Sequence, residues 1–205
     1  ADGPTIQKSS EVAIKNGITL NLIFNQIEEI RKTVTIPIIL MGYYNQLLQY
    51  GVEEFVKKAT SVGVDGLIIP DLPLDIYQKE YKALFEQYNL KMSFLITPQT
   101  TEERVLEIAK ESTAFLYVVS SYAITGGKST IVQKQIDYFK RIKNLDISTP
   151  KLIGFGISNK QTFETACQYA EGAIIGSAFI KAIGQSENLA ATIKEFVNSV
   201  VSKQF

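Results

Sequence analysis

Short, almost unbroken apolar runs alternate along this chain with longer stretches in which apolar residues recur every three or four positions. Six such runs are residues 36–43 (IPIILMGY), 66–71 (GLIIPD), 92–97 (MSFLIT), 114–120 (AFLYVVS), 151–156 (KLIGFG) and 172–177 (GAIIGS). Apolar and polar residues do not alternate within them, which predicts parallel strands covered on both faces. The stretches between them have helical periodicity. One helix is predicted over residues 19–32, with Leu22, Ile23, Ile27 and Ile30 on its apolar side. A second covers 52–62, where Val52, Phe55, Val56, Ala59 and Val62 share a face and Gly63 supplies the stop. Others cover 75–88, the segment holding Val105, Leu106 and Ile108, 131–142, a segment after Ser158, and 189–201. Thr100 with Glu103, and Ser158 with Gln161, have capping-box spacing. The first four residues, ADGP, read as a shaped turn rather than the lead-in to an element, because Gly supplies positive φ and Pro fixes it.

Six strand–helix alternations predict a parallel α/β fold. Two architectures satisfy the pattern. One is an open doubly wound sheet of six strands. The other is a (β/α)₈ barrel lacking its first two strands, since a barrel needs eight strands and typically about 250 residues. Two helical segments precede the first strand, and no linker or shift in composition divides the chain, so residues 1–205 are expected to form a single domain.

Composition narrows the chemistry. Lys plus Arg and Asp plus Glu both number 21, so no charge excess points to nucleic acid or to an anionic membrane surface. No apolar run approaches the roughly 20 residues that span a bilayer. The one cysteine, Cys167, cannot form an internal disulfide and suits a reducing, cytoplasmic setting. Histidine is absent, which removes Ser-His-Asp and Cys-His nucleophile systems and most zinc sites, so no metal site is expected. Proton transfer then falls to Asp, Glu, Tyr or Lys.

In either architecture the ligand lies at the carboxyl ends of the strands. Three of those ends are rich in glycine: SSYAITGGKST (residues 120–130), GFGISN (154–159) and GSAFIKAI (176–183). Glycine lets backbone approach a ligand, and successive N–H groups cradle anions, so the last two ends suit a phosphate. Most glycines merely make turns, and that plainer role is open for each. The GGKS stretch is not a P-loop, because Tyr122 stands where that motif needs its first glycine. It reads as a lid. Asp2 and Asp71 are the candidate carboxylates, although Asp71 in PDLP equally suits a helix-capping turn. Tyr43, Tyr44, Tyr117 and Phe155 fall at strand ends, either as plain packing or as the lining of an aromatic-sized pocket. Asn45 reads as a turn residue.

Taken in order, ADGPTIQ, PIILMGYYN, VGVDGLIIPDLP, TPQTTEER, FLYVVSSYAITGG, GFGIS and GAIIGSA resemble the tryptophan synthase alpha subunit family, from the first residue to about Ile183. The resemblance implies a (β/α)₈ barrel, present here with about six of its eight strands, and a carbon–carbon lyase of tryptophan biosynthesis. The implied reaction is retro-aldol cleavage of indole-3-glycerol phosphate to indole and glyceraldehyde 3-phosphate. It implies a beta-subunit partner in an alpha2-beta2 complex; pyridoxal phosphate belongs to that partner, and the alpha chain needs no cofactor. By the family's motif, Asp2 is a catalytic carboxylate. The second carboxylate, a glutamate, belongs to a strand ahead of Ala1, so residues 1–205 by themselves are expected to be inactive. Tyr43, Tyr117, Thr125 and Phe155 match substrate-binding positions. Gly126, Gly156, Gly176 and Ser177 match the phosphate-binding backbone. Gly3, Pro4 and Asn45 match surfaces facing the beta subunit. Ala123 departs from the family's usual glycine, which bears on how the lid closes. Two rival functions fit parts of the pattern: a non-catalytic alpha-like activator of the beta subunit, and another phosphate-binding barrel enzyme.

Overall fold

The computed structural model describes residues 3–120, 132–154 and 156–201. Two helices come first, α1 (Pro4–Lys15) and α2 (Leu20–Ile30), followed by β1 (Ile39–Met41), α3 (Tyr44–Tyr50) and α4 (Val52–Ser61). Next come β2 (Gly66–Ile68), then α5 (Leu74–Ile76), which passes through a π turn (Tyr77–Tyr81) into α6 (Lys82–Gln87). The chain continues with β3 (Lys91–Ser93), β4 (Leu95–Ile96), α7 (Glu102–Glu111), β5 (Leu116–Val119) and α8 (Gln133–Lys143). It ends with β6 (Lys151–Gly154), α9 (Lys160–Cys167), β7 (Gly172–Ala173), α10 (Ser177–Ile183) and α11 (Leu189–Val200).

Strand order separates the two candidate architectures. β1, β2 and β3 pair in parallel in sequence order, and so do β4, β5, β6 and β7. A doubly wound sheet reverses its order partway so that helices cover both faces. Here the order never reverses, and right-handed crossovers then place every helix on one side. The core agrees. Leu67, Met92, Phe94, Ile96, Leu116, Val118 and Ile153 pack with helical residues such as Phe24, Phe55, Val105 and Phe139. Their strand neighbours Ile68, Ser93 and Tyr117 are buried outside that cluster, on the opposite face. This is the winding of a barrel. Among the described residues β1 and β7 each pair with one strand, so the sheet is an arc, as six of eight strands would form.

The run predicted as one strand over 92–97 is two half-strands that meet at Phe94 and pair in opposite directions across the sheet. Side-chain hydroxyls supply the missing rungs. The Met92 N–H donates to Thr113 Oγ1 (2.9 Å) and the Phe94 N–H to Ser112 Oγ (3.3 Å), while Ser93 Oγ accepts from the Phe115 N–H (3.3 Å). Ser93 and Ser112 are buried, so these bonds also satisfy polar groups that would otherwise be orphaned.

Several local expectations shift by a residue or change kind. Pro4 is not in a turn but opens α1, with Gly3 as its cap; the first helical position needs no N–H and suits proline's fixed φ. The cap of α7 is Thr101, whose hydroxyl accepts from the Arg104 N–H, not Thr100, which instead bonds the Thr97 N–H. The cap of α9 is Asn159, not Ser158. The helix predicted over 75–88 contains the π turn, where Tyr77 packs edge-on against Phe85 (5.5 Å) and Phe94 (5.1 Å). Burial pushes the Tyr77 hydroxyl up to about 12.

The end of the sheet opposite the candidate site is pinned by Arg31. Its guanidinium pairs with Asp65 and donates to the carbonyls of Gly63 (2.7 Å) and Ile36 (2.6 Å). Asp65 in turn accepts from the Ile38 N–H (2.7 Å), tying the entries of β1 and β2. Gly63 sits at φ +91°, and a Cβ there would lie 2.9 Å from Arg31 Cγ. We expect Arg31→Met to cost about 2 kcal/mol, the scale of a lost set of charge-assisted hydrogen bonds. Urea unfolding checks this, and a loss below about 0.5 kcal/mol would contradict the clamp.

Candidate active site

The carboxyl ends of the strands form one rim. At the β1 end, Tyr43 caps α3, and its N–H donates to Gln46 Oε1 (3.3 Å). Asn45, expected in a turn, lies in the first helical turn of α3 and is exposed. The Tyr44 N–H donates to Asp71 Oδ1 (2.9 Å) at the β2 end. Asp71 therefore does cap a helix, but it is the helix that follows the neighbouring strand. The Tyr44 and Tyr81 hydroxyls share a hydrogen bond (2.6 Å). That bond, followed by partial burial, raises Tyr81 well above the usual tyrosine range, and the pair ties α3 to the π turn.

The β5 and β6 ends approach more closely. The Ser120 N–H donates to the Gly154 carbonyl (3.0 Å), continuing the ladder one rung past β5. Tyr117, 5% exposed, lies against Gly154. A Cβ on Gly154 would fall 2.5 Å from Tyr117 Cε1 and Cζ, and nearer still to its Oη. Only glycine leaves room for that ring on the inner face. Beyond β6, Gly156 turns the chain at φ +78°, a conformation that disfavours side chains, and it is exposed at the rim. The cap of α9 then uses its own donors: the Ser158 and Asn159 N–H groups go to Thr162 Oγ1 (3.1 and 3.2 Å), and the Thr162 N–H goes to Asn159 Oδ1 (2.9 Å).

At the β7 end, Gly176 caps α10 and Ser177 begins it, both exposed. The first N–H groups of a helix have no partner within it, and they face anions well. α1 meets α10 here: a Cβ on Gly176 would lie 3.8 Å from Ile6 Cδ1. The start of the chain is thus brought beside the last strand end, with Gly3 and Pro4 one turn from that contact.

Gly156, Gly176 and Ser177 therefore share a rim with Tyr117, Gly3 and Pro4. Tyr43 and Asn45 stand at the other end of the arc, and Tyr43 is 45% exposed. Asp2, Thr125, Gly126, Phe155 and Ala123 lie outside the described residues. An open cleft of about 360 Å³ between α2 and α3 is lined by Thr19, Leu20, Asn21, Gln46, Gln49 and Tyr50, none of which was nominated from sequence. Among the described residues no three or more Cys, Asp or Glu side chains cluster as metal ligands would. No described helix is long and apolar enough to cross a membrane. The sequence did not single out Gly154 or Ser120. The signal for Gly154 was a glycine inside an apolar strand, which marks close approach.

We expect Gly154→Ala to cost about 1–3 kcal/mol through overpacking against Tyr117. In a double-mutant cycle with Tyr117→Leu, followed by urea unfolding, the double variant should lose clearly less than the sum of the single losses. Additive losses would contradict the contact.

Known proteins share this arrangement over nearly the whole chain. Residues 1–204 match the family described as "Tryptophan synthase alpha chain". The tryptophan synthase alpha chains of Flavobacterium johnsoniae and Flavobacterium psychrophilum are each 54% identical over 200 residues, covering 98% of this chain and 78% of theirs. The crystal structure of the tryptophan synthase A-subunit from Pyrococcus furiosus superposes with a TM-score of 0.88 at 33% identity, covering 98% of this chain and 81% of that one. A chain of the tryptophan synthase complex from the same organism superposes with the same TM-score at 32% identity, covering 99% of this chain and 81% of that one. With its sequentially wound parallel strands, its glycine-lined rim and these relatives, the chain belongs to the tryptophan synthase alpha chain family.

Proposed function

We propose that this chain is the lyase that cleaves indole-3-glycerol phosphate to indole and glyceraldehyde 3-phosphate in tryptophan biosynthesis. It passes the indole to a pyridoxal-phosphate beta subunit in an alpha2-beta2 complex and needs no cofactor of its own. The observation that carries the reading is the convergence of the Gly154–Gly156 strand end, the start of α10 and the start of α1 on one rim, in a chain of this family. Residues 1–205 act as one barrel domain, in keeping with a single apolar cluster that runs from Phe24 to Ala166. The setting is the cytoplasm.

The reaction asks for little beyond positioning and two carboxylates. Cleaving the bond between indole C3 and the glycerol carbon requires a proton on C3 and removal of one from the adjacent hydroxyl. The electron pair of the broken bond returns to the indole ring, and the hydroxyl carbon becomes the aldehyde of glyceraldehyde 3-phosphate. A glutamate that the family pattern places ahead of Ala1 shuttles these protons. Asp2 accepts the indole N–H and stabilises the positive charge that develops on the ring when C3 is protonated. Backbone N–H groups at Gly126, Gly156, Gly176 and Ser177 hold the phosphate. Tyr117, Tyr43 and Phe155 bound the indole, and Thr125 orders the segment over it. Gly3, Pro4 and Asn45 face the beta subunit.

Asp2→Asn keeps the size of the side chain and removes its charge. We expect it to lower kcat about 10²–10³-fold with a much smaller change in KM, since the charge it stabilises exists only along the reaction path. Release of indole by the protein expressed from its gene, with the beta subunit present, checks this. Unchanged turnover removes Asp2 from the mechanism. No turnover in the unaltered protein, with the beta subunit still stimulated, replaces the lyase with a non-catalytic activator.

A further inference from the structure

The π turn (Tyr77–Tyr81) ends on Tyr81, and single π turns recur at functional sites. The Tyr81 hydroxyl meets that of Tyr44 (2.6 Å), with the two rings edge-on and their centroids 6.0 Å apart. Glu80 also faces the Tyr81 hydroxyl. Tyr44 is the first residue of α3, and its N–H is held by Asp71 (2.9 Å). The start of α3 is therefore fixed from two directions, at its backbone and at the tip of a side chain. The residues on either side of Tyr44, Tyr43 and Asn45, are both exposed. α3 needs such ties: it has seven residues, too few for a helix to hold its own shape in water, and only Leu47 among them is buried. Its far end is tied as well. The Tyr50 hydroxyl donates to Asn21 Oδ1 of α2 (3.1 Å), and the Tyr50 ring packs edge-on with Phe24 and Phe55.

We infer that Tyr81 is a positioning residue for the beta-subunit interface, acting through Tyr44 to fix the start of α3, which presents Asn45. The inference rests on the proposed reading of Asn45 as partner-facing. Without the bond between the two hydroxyls, the start of α3 samples a wider set of orientations. Docking must then order it, and that cost lowers affinity although no contact with the partner has been removed. The bond belongs to both tyrosines, so deleting either hydroxyl removes it while the rings keep their edge-on contact. Tyr81→Phe also removes the group that Glu80 faces, and Tyr44→Phe leaves it in place.

The experiment titrates the protein expressed from its gene with the beta subunit by calorimetry and records the thermal unfolding of each variant. The variants are Tyr44→Phe, Tyr81→Phe, the two combined, and Arg31→Met, whose defect lies at the opposite end of the sheet. We expect each Phe variant to raise Kd by about five-fold or more, and the combined variant to raise it little beyond either one, because the same bond is lost in all three. Arg31→Met should melt lower and keep its Kd within about two-fold. If both Phe variants melt lower but keep their Kd, the bond serves the fold alone and the inference is overturned. A Kd raised equally by Arg31→Met reports general destabilisation and overturns it too. So does a loss confined to Tyr81→Phe, which assigns the effect to Glu80. Asn45→Trp, titrated alongside, tests the underlying reading by itself: an unchanged Kd there removes Asn45 from the interface, a separate outcome.

Discussion

Ile6 of α1 resting beside Gly176 at the start of α10 is the contact on which the rest of the site depends. The parallel sheet leaves its first and last described strands unpaired with each other, so nothing in the ladder draws the two ends of the arc together. The helical layer does it instead. Through this contact the start of α1 is held next to the β7 strand end.

Given that contact, the remaining geometry follows from two properties of a sequentially wound sheet. Every helix lies on the outer face, so the carboxyl strand ends form one rim. The inner face is left for side chains that fit among themselves, and Tyr117 against Gly154 is the tightest described fit there. Ser120 then couples the two strand ends, and Gln135 couples Ser120 to α8. The opposite end of the sheet is held by Arg31 and Asp65.

Much of the fold was legible because it is written in local periods. The six apolar runs and the helices between them need only the alternation of strand and helix patterns, and Gly63 and Gly156 both adopt the positive φ their positions suggest. What escaped was set by distant partners or by close competitors. Thr100 and Thr101 are equally good caps in sequence; the first is used by Thr97, which leaves the second for α7. Ser158 and Asn159 compete in the same way. The break at Phe94 depends on hydroxyls of Ser112 and Thr113 that no strand pattern foretells. Asp71 caps a helix 27 residues away from it. Of the candidate site, Gly156, Gly176 and Ser177 were readable as strand ends; that the last strand stops at Ala173 and a helix starts at Ser177 was not. The requirement for glycine at 154 was not, because it arises from the Tyr117 ring on the neighbouring strand.

The central claim is that these separated segments form one binding site. Amide hydrogen exchange on the protein expressed from its gene, with and without an indole alkyl phosphate that lacks the reacting hydroxyl, tests it most directly. The account predicts joint protection at Gly156, Gly176, Ser177 and the first turn of α1, with the Arg31–Asp65 end unchanged. Protection at only one of these segments, or at none of them under saturating ligand, would contradict it.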